Sequence, residues 1–404
     1  MKEQFIHYIK NTQERLLKNL SPFKRSLYNN IDWEFPVIAI VGERGIGKTT
    51  MMLQRIKDTS QGVYFSCDNI QITAIGIFNV INELYEEHNE KVFYIDEIHK
   101  YKNWEQEIKN ITDSFPDTQL ILSGSSAINI IHSSYDLSRR VLLYKMHVLS
   151  LKEFLLFKYD ISLPSLSLKE IIENHKEISY QNAMNIKTAH FKEYLNEYCY
   201  FFRTKVKEKE SFYLLLENII KKVIYEDVSK QYNLQTKNIS ALEKILFLLA
   251  NIAPSEMTYN NIAKKVQLDT KTVDFYITIL EEVGLVNVLK KYDTITNNLL
   301  KEKKIFLSNT NLMQMFRNQF SESKNTGLFR EVFFISAIKR TNHFVSIHSK
   351  QDFIINIHEK KYIFEIGGKN KKIRNKAKNT FIVSDDIKIS EGDKIPLWLF
   401  GCIE

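Results

Sequence analysis

Short apolar runs alternate with amphipathic segments between residues 35 and 160 of this chain. The apolar runs are Val37–Val41, Gly62–Cys67, Val92–Ile95, Gln119–Ser123 and Val141–Tyr144. Between them, Ile75–Glu87 and Trp104–Ile111 carry apolar residues at the helical period. Buried strands that alternate with helices are typical of a parallel sheet covered by helices on both faces. We therefore predict an α/β fold for this part of the chain.

The remaining sequence shows mainly helical spacing, with strands near its end. We predict an N-terminal helical segment (1–34), the α/β core (35–160), a helical lid or linker (161–238), a winged helix (239–310) and a small α+β domain (311–404). The winged helix is predicted because three helices precede two strands, Leu285–Tyr292 and Lys304–Leu307. The last segment contains a helix, Leu328–Lys339, and strands at Asp352–Ile357, Lys361–Ile366, Phe381–Val383 and Leu397–Phe400.

The first apolar run leads into a glycine-rich loop and then into a helical segment. The loop reads G-x-x-x-x-G-K-T, the P-loop pattern, in the strand–loop–helix context that this pattern requires. Its residues are Gly42, Glu43, Arg44, Gly45, Ile46, Gly47, Lys48, Thr49 and Thr50. Glycines let the backbone wrap around phosphate oxygens, while amide groups point at the anion. We predict that Lys48 reaches the β- and γ-phosphates of ATP and that the Thr49 hydroxyl binds Mg²⁺.

A second apolar strand delivers two carboxylates to its C-terminal end, where the ligands of open α/β sheets bind. Asp96 is the predicted Mg²⁺ residue, and Glu97 is the predicted base or positioning group for the attacking water. Ser123 follows another buried strand and is the predicted polar sensor of water or γ-phosphate, with Ser125 as the alternative. An isolated acid pair is often only a solvated turn, but the upstream P-loop favours a nucleotide site.

Two arginines, Arg139 and Arg140, precede the fifth predicted strand. A guanidinium group is permanently charged and suits the charge that develops on a transferred γ-phosphate. One of the two, with Arg140 preferred, is a candidate for this role either in its own subunit or in a neighbouring one. The second case requires a homo-oligomer. The competing interpretation is a surface pair that binds Asp136 or glutamate residues.

Net charge, apolar runs and cysteine content limit the partners and the cellular compartment that we expect for this protein. A formal net charge of +8 and a pI of about 9.0 permit a nucleic-acid partner without requiring one. No apolar run is long enough to cross a membrane, and the charged N-terminus lacks the apolar core of a signal peptide. Three scattered cysteines do not form a disulfide framework. We therefore expect a cytoplasmic protein with no membrane association.

The motifs together resemble those of the bacterial and archaeal AAA-type P-loop ATPases that carry a C-terminal domain of unknown function. The resemblance rests on Gly42–Thr50, Asp96–Lys100, Trp104–Glu105, Ser123–Ser126, Asp136–Arg140, Leu149–Phe154, Phe306–Met313, Arg330–Phe334 and Phe364–Lys369. It implies an AAA-like ATPase core, a winged helix and a C-terminal domain similar to PD-(D/E)xK nucleases. It does not imply a particular biological role.

A nuclease of that kind needs acids that bind a divalent metal and a lysine two residues after the second strand's acid. The candidates are Glu331 on a helix, Asp352 at the start of one strand and Glu365 in the next. Residue 367, where the lysine is expected, is Gly367. Lys369 is the candidate substitute from the following loop. We expect a degenerate nuclease fold that contacts nucleic acid or protein, with active cleavage as the less favoured outcome.

Three hypotheses follow. The first is an ATP-hydrolysing AAA-type switch whose C-terminal domains contact DNA or RNA. The lysine-rich segment that begins at Lys369 is a candidate for phosphate contact, with a solvated lysine-rich loop as the equal alternative. The second is a signalling or defence-type ATPase in which those domains bind protein. The third is an ATP-regulated nuclease.

Overall fold

The computed structural model describes residues 2–124, 139–252, 258–291, 303–318, 326–373 and 377–404. The predictions for Ser125 and for residues 136–138 lie outside these ranges. The chain divides into two compact units, Met1–Val148 (the first unit) and Leu149–Glu404 (the second unit). The five-segment division stays a prediction. None of the helices in the described ranges has the length and apolarity needed to cross a bilayer.

The first unit contains the predicted alternation of strands and helices. In chain order its elements are α1 (Lys2–Lys18), β1 (Val37–Val41), α2 (Lys48–Thr59), β2 (Val63–Ser66), α3 (Ile70–Ile75), α4 (Ile77–His88), β3 (Val92–Asp96), α5 (Trp104–Ser114), β4 (Gln119–Gly124) and β5 (Leu142–Lys145). Two short 3₁₀ helices lie between these elements. Ser26–Asn30 lies between α1 and β1, and Ile98–Lys100 lies between β3 and α5.

The five strands of the first unit form one parallel sheet in the order β2-β3-β4-β1-β5. Every residue of β1 is buried, as expected for a strand that has helices on both faces. Because β4 lies between β1 and β3, the residues that follow these three strands meet at one edge of the sheet. The predicted α/β fold is confirmed.

One predicted helix of this unit is divided in two. The segment Ile75–Glu87 was expected to be continuous, but α3 ends at Ile75 and α4 begins at Ile77. Gly76 lies between them with a φ of +94°, a backbone conformation that other residues rarely adopt. The apolar period continues across this glycine, so periodicity alone could not detect the break.

The second unit is helical at first and ends in a sheet. Its elements are α6 (Leu151–Tyr159), α7 (Leu168–Asn182), α8 (Thr188–Glu197), α9 (Lys209–Lys222), α10 (Ser229–Tyr232), α11 (Thr236–Asn251), α12 (Tyr259–Val266), α13 (Thr270–Glu282), β6 (Val286–Lys290), β7 (Lys303–Leu307), α14 (Thr310–Asn318), α15 (Thr326–Ile338), β8 (Val345–Ile347), β9 (Phe353–Ile357), β10 (Lys360–Gly367), β11 (Thr380–Ser384) and β12 (Lys394–Pro396).

The order of three helices and two strands that suggested a winged helix is present. Helix α12 begins after Thr258, whose side chain accepts a hydrogen bond from the Asn261 N–H. Helix α13 begins after Asp269, which caps the Thr272 N–H in the same way. Strands β6 and β7 pair antiparallel. The assignment of this region to the winged-helix class stays a prediction.

The last five strands form a mixed sheet in the order β12-β11-β10-β9-β8. Strand β10 pairs parallel with β11 and antiparallel with β9. The predicted strand at Leu397–Phe400 is wrong, because Leu397–Cys402 forms a 3₁₀ helix. All its side chains are buried, and a continuous apolar run of this length does not distinguish a strand from a buried helical turn.

Candidate functional site

The glycine-rich loop connects β1 to α2 and leaves no room for a side chain at its first glycine. A Cβ atom at Gly42 would lie 2.2 Å from the carbonyl oxygen of Met146. Gly47 has a φ of +106° and is the N-cap residue, directly before the first residue of α2. The loop therefore brings its backbone to the N-terminus of α2, where unpaired amide groups favour an anion.

Lys48 is the first residue of α2 and is 5% exposed. Its Nζ atom donates hydrogen bonds to the carbonyl oxygens of Gly42 and Glu43, each at 2.9 Å. Burial lowers the pKa of this ammonium group, and the negative charges of Glu97 and Asp96 act in the opposite direction. The ammonium group thus lies inside the loop and within the electrostatic field of the acid pair.

Asp96 connects three other elements of the first unit. Its Oδ2 atom accepts hydrogen bonds from the Thr49 hydroxyl at 2.7 Å and from the Tyr64 hydroxyl at 2.8 Å. Its Oδ1 atom accepts one from the Ser123 hydroxyl. The donors come from α2, β2 and β4. The Thr49 hydroxyl and the Asp96 carboxylate are hard oxygen ligands in direct contact, so this pair fits Mg²⁺.

Glu97 follows Asp96 in an unusual backbone conformation. Its φ is +52°, which is uncommon for a residue with a Cβ atom. Its N–H group donates to Ser123 Oγ and to Asp96 Oδ1, both at 3.1 Å. In this structure Ser123 therefore holds the backbone of the acid pair, a contact that the sequence did not predict.

The carboxylate of Glu97 has spare capacity for hydrogen bonding. Its Oε2 atom is buried and accepts no hydrogen bond from the described residues. The Nε2 atom of His99 lies 3.4 Å from it. Burial raises the pKa of Glu97, whereas the positive charge of Lys48 lowers it. A raised pKa and a free acceptor are the properties expected of a general base.

A buried arginine supports the loop from outside the motif. Arg25 donates to the carbonyl oxygens of Ile46 at 2.9 Å, His147 at 2.7 Å and Val148 at 3.2 Å. It therefore ties the glycine-rich loop to the segment that follows β5. Neither Arg25 nor Tyr64 belongs to a motif, and no local sequence pattern identifies their roles.

The two candidate arginines precede β5. Arg140 forms an ion pair with Asp113, near the C-terminal end of α5, and donates to the Thr112 hydroxyl at 3.3 Å. The partner is Asp113, which is neither Asp136 nor a glutamate, the partners considered from the sequence. The proposed roles of Arg139 and Arg140 toward phosphate stay predictions.

The C-terminal acids lie in the second unit. Glu331 is on α15, Asp352 precedes β9 and Glu365 is in β10. Lys371 rather than Lys369 contacts Glu365, with 2.7 Å between Lys371 Nζ and Glu365 Oε1. Lys369 is exposed, and its N–H donates to Asp386. The positive charges of Lys371 and Lys304 both act on Glu331 and Asp352.

The comparisons with known proteins agree with a P-loop core in the first unit. Residues 34–155 match the family model of an AAA domain. Residues 202–323 match a domain of unknown function (DUF8612). With this match and its sheet order, the first unit has the fold of an AAA-type P-loop ATPase core.

Two curated relatives are themselves uncharacterized proteins. One, from Methanocaldococcus jannaschii, is 26% identical over 287 residues, a match that covers 67% of this chain and only 60% of that protein's length. The other, from Haemophilus influenzae, is 24% identical over 309 residues and covers 72% of this chain and 69% of that protein.

Two solved structures align with part of the chain. RuvB of Thermotoga maritima aligns with 16% identity and a TM-score of 0.29, covering 70% of this chain and 88% of that one. DnaA of Aquifex aeolicus, bound to AMPPCP, aligns with 17% identity and a TM-score of 0.27, covering 68% and 88% respectively.

The partly buried acid Glu331 makes the stability of the second unit sensitive to pH. Burial, followed by the charge of Asp352, raises the pKa of Glu331 from 4.5 to about 7, with Glu365 adding to the shift and Lys304 and Lys371 opposing it. Because the folded state favours the protonated acid, the wild type loses stability as pH rises from 5 to 8. Between pH 5 and pH 8, we expect the free energy of unfolding of Glu331→Gln to fall by about 2–3 kcal/mol less than that of the wild type.

The measurement is urea unfolding at pH 5 and pH 8, followed by fluorine NMR of fluorotryptophan at Trp398, which belongs to this unit. Glu173→Gln, an exposed position on α7, is the matched control. Equal pH dependence of the wild type and Glu331→Gln would contradict the raised pKa.

Proposed function

We propose that the protein binds ATP with Mg²⁺ in its first unit and hydrolyses it. The observation that carries this proposal is the convergence of Lys48, Thr49, Asp96 and Glu97 at one edge of the sheet. The AAA domain match over residues 34–155 supports it independently. Among the described residues, the hydrogen bonds of the buried Lys48 ammonium go to two carbonyl groups of the loop. A buried ammonium in this position suits a phosphate.

Each residue then has a chemical role. The loop amides and Lys48 bind the phosphates and stabilise the charge on the γ-phosphate oxygens. Thr49 and Asp96 would hold Mg²⁺, which neutralises phosphate charge. Glu97 orients the attacking water and accepts its proton. Tyr64 and Ser123 position Asp96, and Ser123 also holds the backbone of Glu97.

We further propose that the second unit contacts nucleic acid. The net charge of +8 favours a polyanionic partner. Lys369, Lys372 and Lys378 are exposed close to one another in sequence, while Lys371 is engaged with Glu365. Arg374 and Lys376 of the same segment lie outside the described residues. A protein partner is the competing proposal, and regulated DNA or RNA cleavage is the third.

The first test is Lys48→Ala. The ammonium group stabilises the negative charge that develops on the phosphate oxygens in the transition state. Because the variant lacks this interaction, ATP turnover should fall by about a hundredfold or more. Phosphate release and binding of a fluorescent ATP analogue measure the two effects. Lys57→Ala, at the exposed end of the same helix, is the control and should retain both. Unchanged turnover and affinity in Lys48→Ala would refute the ATP site.

The second test concerns His99, whose imidazole lies beside the buried oxygen of Glu97. We expect His99→Leu to lower kcat roughly tenfold with little change in KM, because the base loses its orienting contact and the binding residues remain. In His99→Gln the side-chain amide nitrogen can take the place of Nε2, so much of the rate should return. Equal rates in His99→Leu and the wild type would exclude this role.

The third test separates nucleic-acid from protein partners. Single-stranded and duplex DNA and RNA should stimulate ATP turnover, and the stimulation should fall steeply with salt. Replacing Lys369, Lys372 and Lys378 together by Gln should reduce the slope of log affinity against log salt by about 2–3. The control replaces Lys169, Lys192 and Lys205, which are also exposed. No binding of any nucleic acid to the wild type would leave the protein partner as the better proposal.

A further inference from the structure

The acid pocket of the second unit, defined by Glu331, Asp352 and Glu365, does not have the features of a ready metal site. No group of three metal-ligating side chains in the described ranges is arranged to hold an ion. Glu365 Oε1 is taken by the Lys371 ammonium, and Asp352 Oδ2 accepts the N–H of Ile366 at 2.7 Å. The divalent metal implied by the nuclease resemblance therefore does not fit these residues as they stand.

Lys371 reaches the pocket through the space above a glycine. Alternation along β10 places residue 367 on the same face as Glu365, which is where a nuclease of this type has its lysine. A Cβ atom at Gly367 would lie 2.7 Å from Cγ and 2.8 Å from Cβ of Lys371. The Lys371 side chain thus passes over the bare backbone of Gly367 and delivers its ammonium to the acid that precedes this glycine by two residues.

The ammonium group acts on the whole pocket. Its contact with Glu365 and the charges of Asp352 and Glu331 all raise the pKa of Lys371. In the other direction, Lys371 stabilises the ionised forms of Asp352 and Glu331. Lys304 of β7 acts on the same two acids. The charges of two lysines therefore act on this group of three carboxyl groups. The net charge of the five side chains is close to zero when one carboxyl group is protonated.

We propose that the Lys371 ammonium is the built-in counter-ion of this pocket and takes the place of a divalent metal. The wild-type second unit accordingly binds no divalent cation at these acids. Gly367 is required because it gives Lys371 access to Glu365. Removing the ammonium group leaves carboxylates without a counter-ion, and a divalent cation then binds there. This proposal is independent of the ATP site.

The test measures Mn²⁺ binding to the full, nucleotide-free chain by electron paramagnetic resonance and calorimetry. Lys371→Met keeps the apolar stem over Gly367 but removes the charge. We expect this variant to bind one more Mn²⁺ than the wild type, or to bind it at least about tenfold more tightly. Lys360→Met, at an exposed position of the strand that carries Glu365, is the matched control and should behave as the wild type.

Two further variants keep the test decisive if Lys371→Met folds poorly. Gly367→Ala displaces the lysine while leaving it in the chain, so it should gain the same Mn²⁺ site. Adding Glu365→Gln to Lys371→Met should abolish that gain. Mn²⁺ binding by the wild type that is lost in Glu365→Gln would overturn the proposal and favour a metal-dependent nuclease. Equal Mn²⁺ binding by the wild type, Lys371→Met and Gly367→Ala would also overturn it.

Discussion

The candidate ATP site depends on the hydrogen bonds that the buried carboxylate of Asp96 accepts. A buried charge is costly unless neighbouring groups donate hydrogen bonds to it. Here the hydroxyl groups of Thr49, Tyr64 and Ser123 do so, and each comes from a different element. Satisfying this one side chain therefore fixes the start of α2, strand β2 and the end of β4 relative to the end of β3. Glu97 and Lys48 obtain their positions from the same network.

The two units treat buried acids in contrasting ways. In the first unit, hydroxyl groups surround Asp96 and one lysine faces the acid pair, which leaves Glu97 Oε2 without a hydrogen-bond donor among the described residues. In the second unit, the ammonium of Lys371 contacts Glu365 directly and acts on two further acids. The first arrangement leaves an acceptor available for substrate chemistry. The second places an ammonium group directly on Glu365 Oε1, while Glu365 Oε2 also has no hydrogen-bond donor among the described residues.

Most elements of the fold could be predicted because the signals for them are local. The five strands of the first sheet are short apolar runs, and the helices of the second unit follow apolar periods and capping residues such as Asp269. The errors have physical causes. Gly76 divides a helix without changing its apolar period, and Leu397–Cys402 is buried on all sides, so it carries no period that separates a strand from a 3₁₀ helix.

The sequence alone determined the P-loop, the acid pair at the end of β3 and the α/β class, because each is encoded by neighbouring residues and their spacing. Only the tertiary structure decided that Tyr64 donates to Asp96, that Arg140 pairs with Asp113 and that Lys371 rather than Lys369 contacts Glu365. Such contacts join side chains through the register of strands and the path of loops. Local propensity specifies neither the strand register nor the loop path, because both arise from the packing of the whole unit.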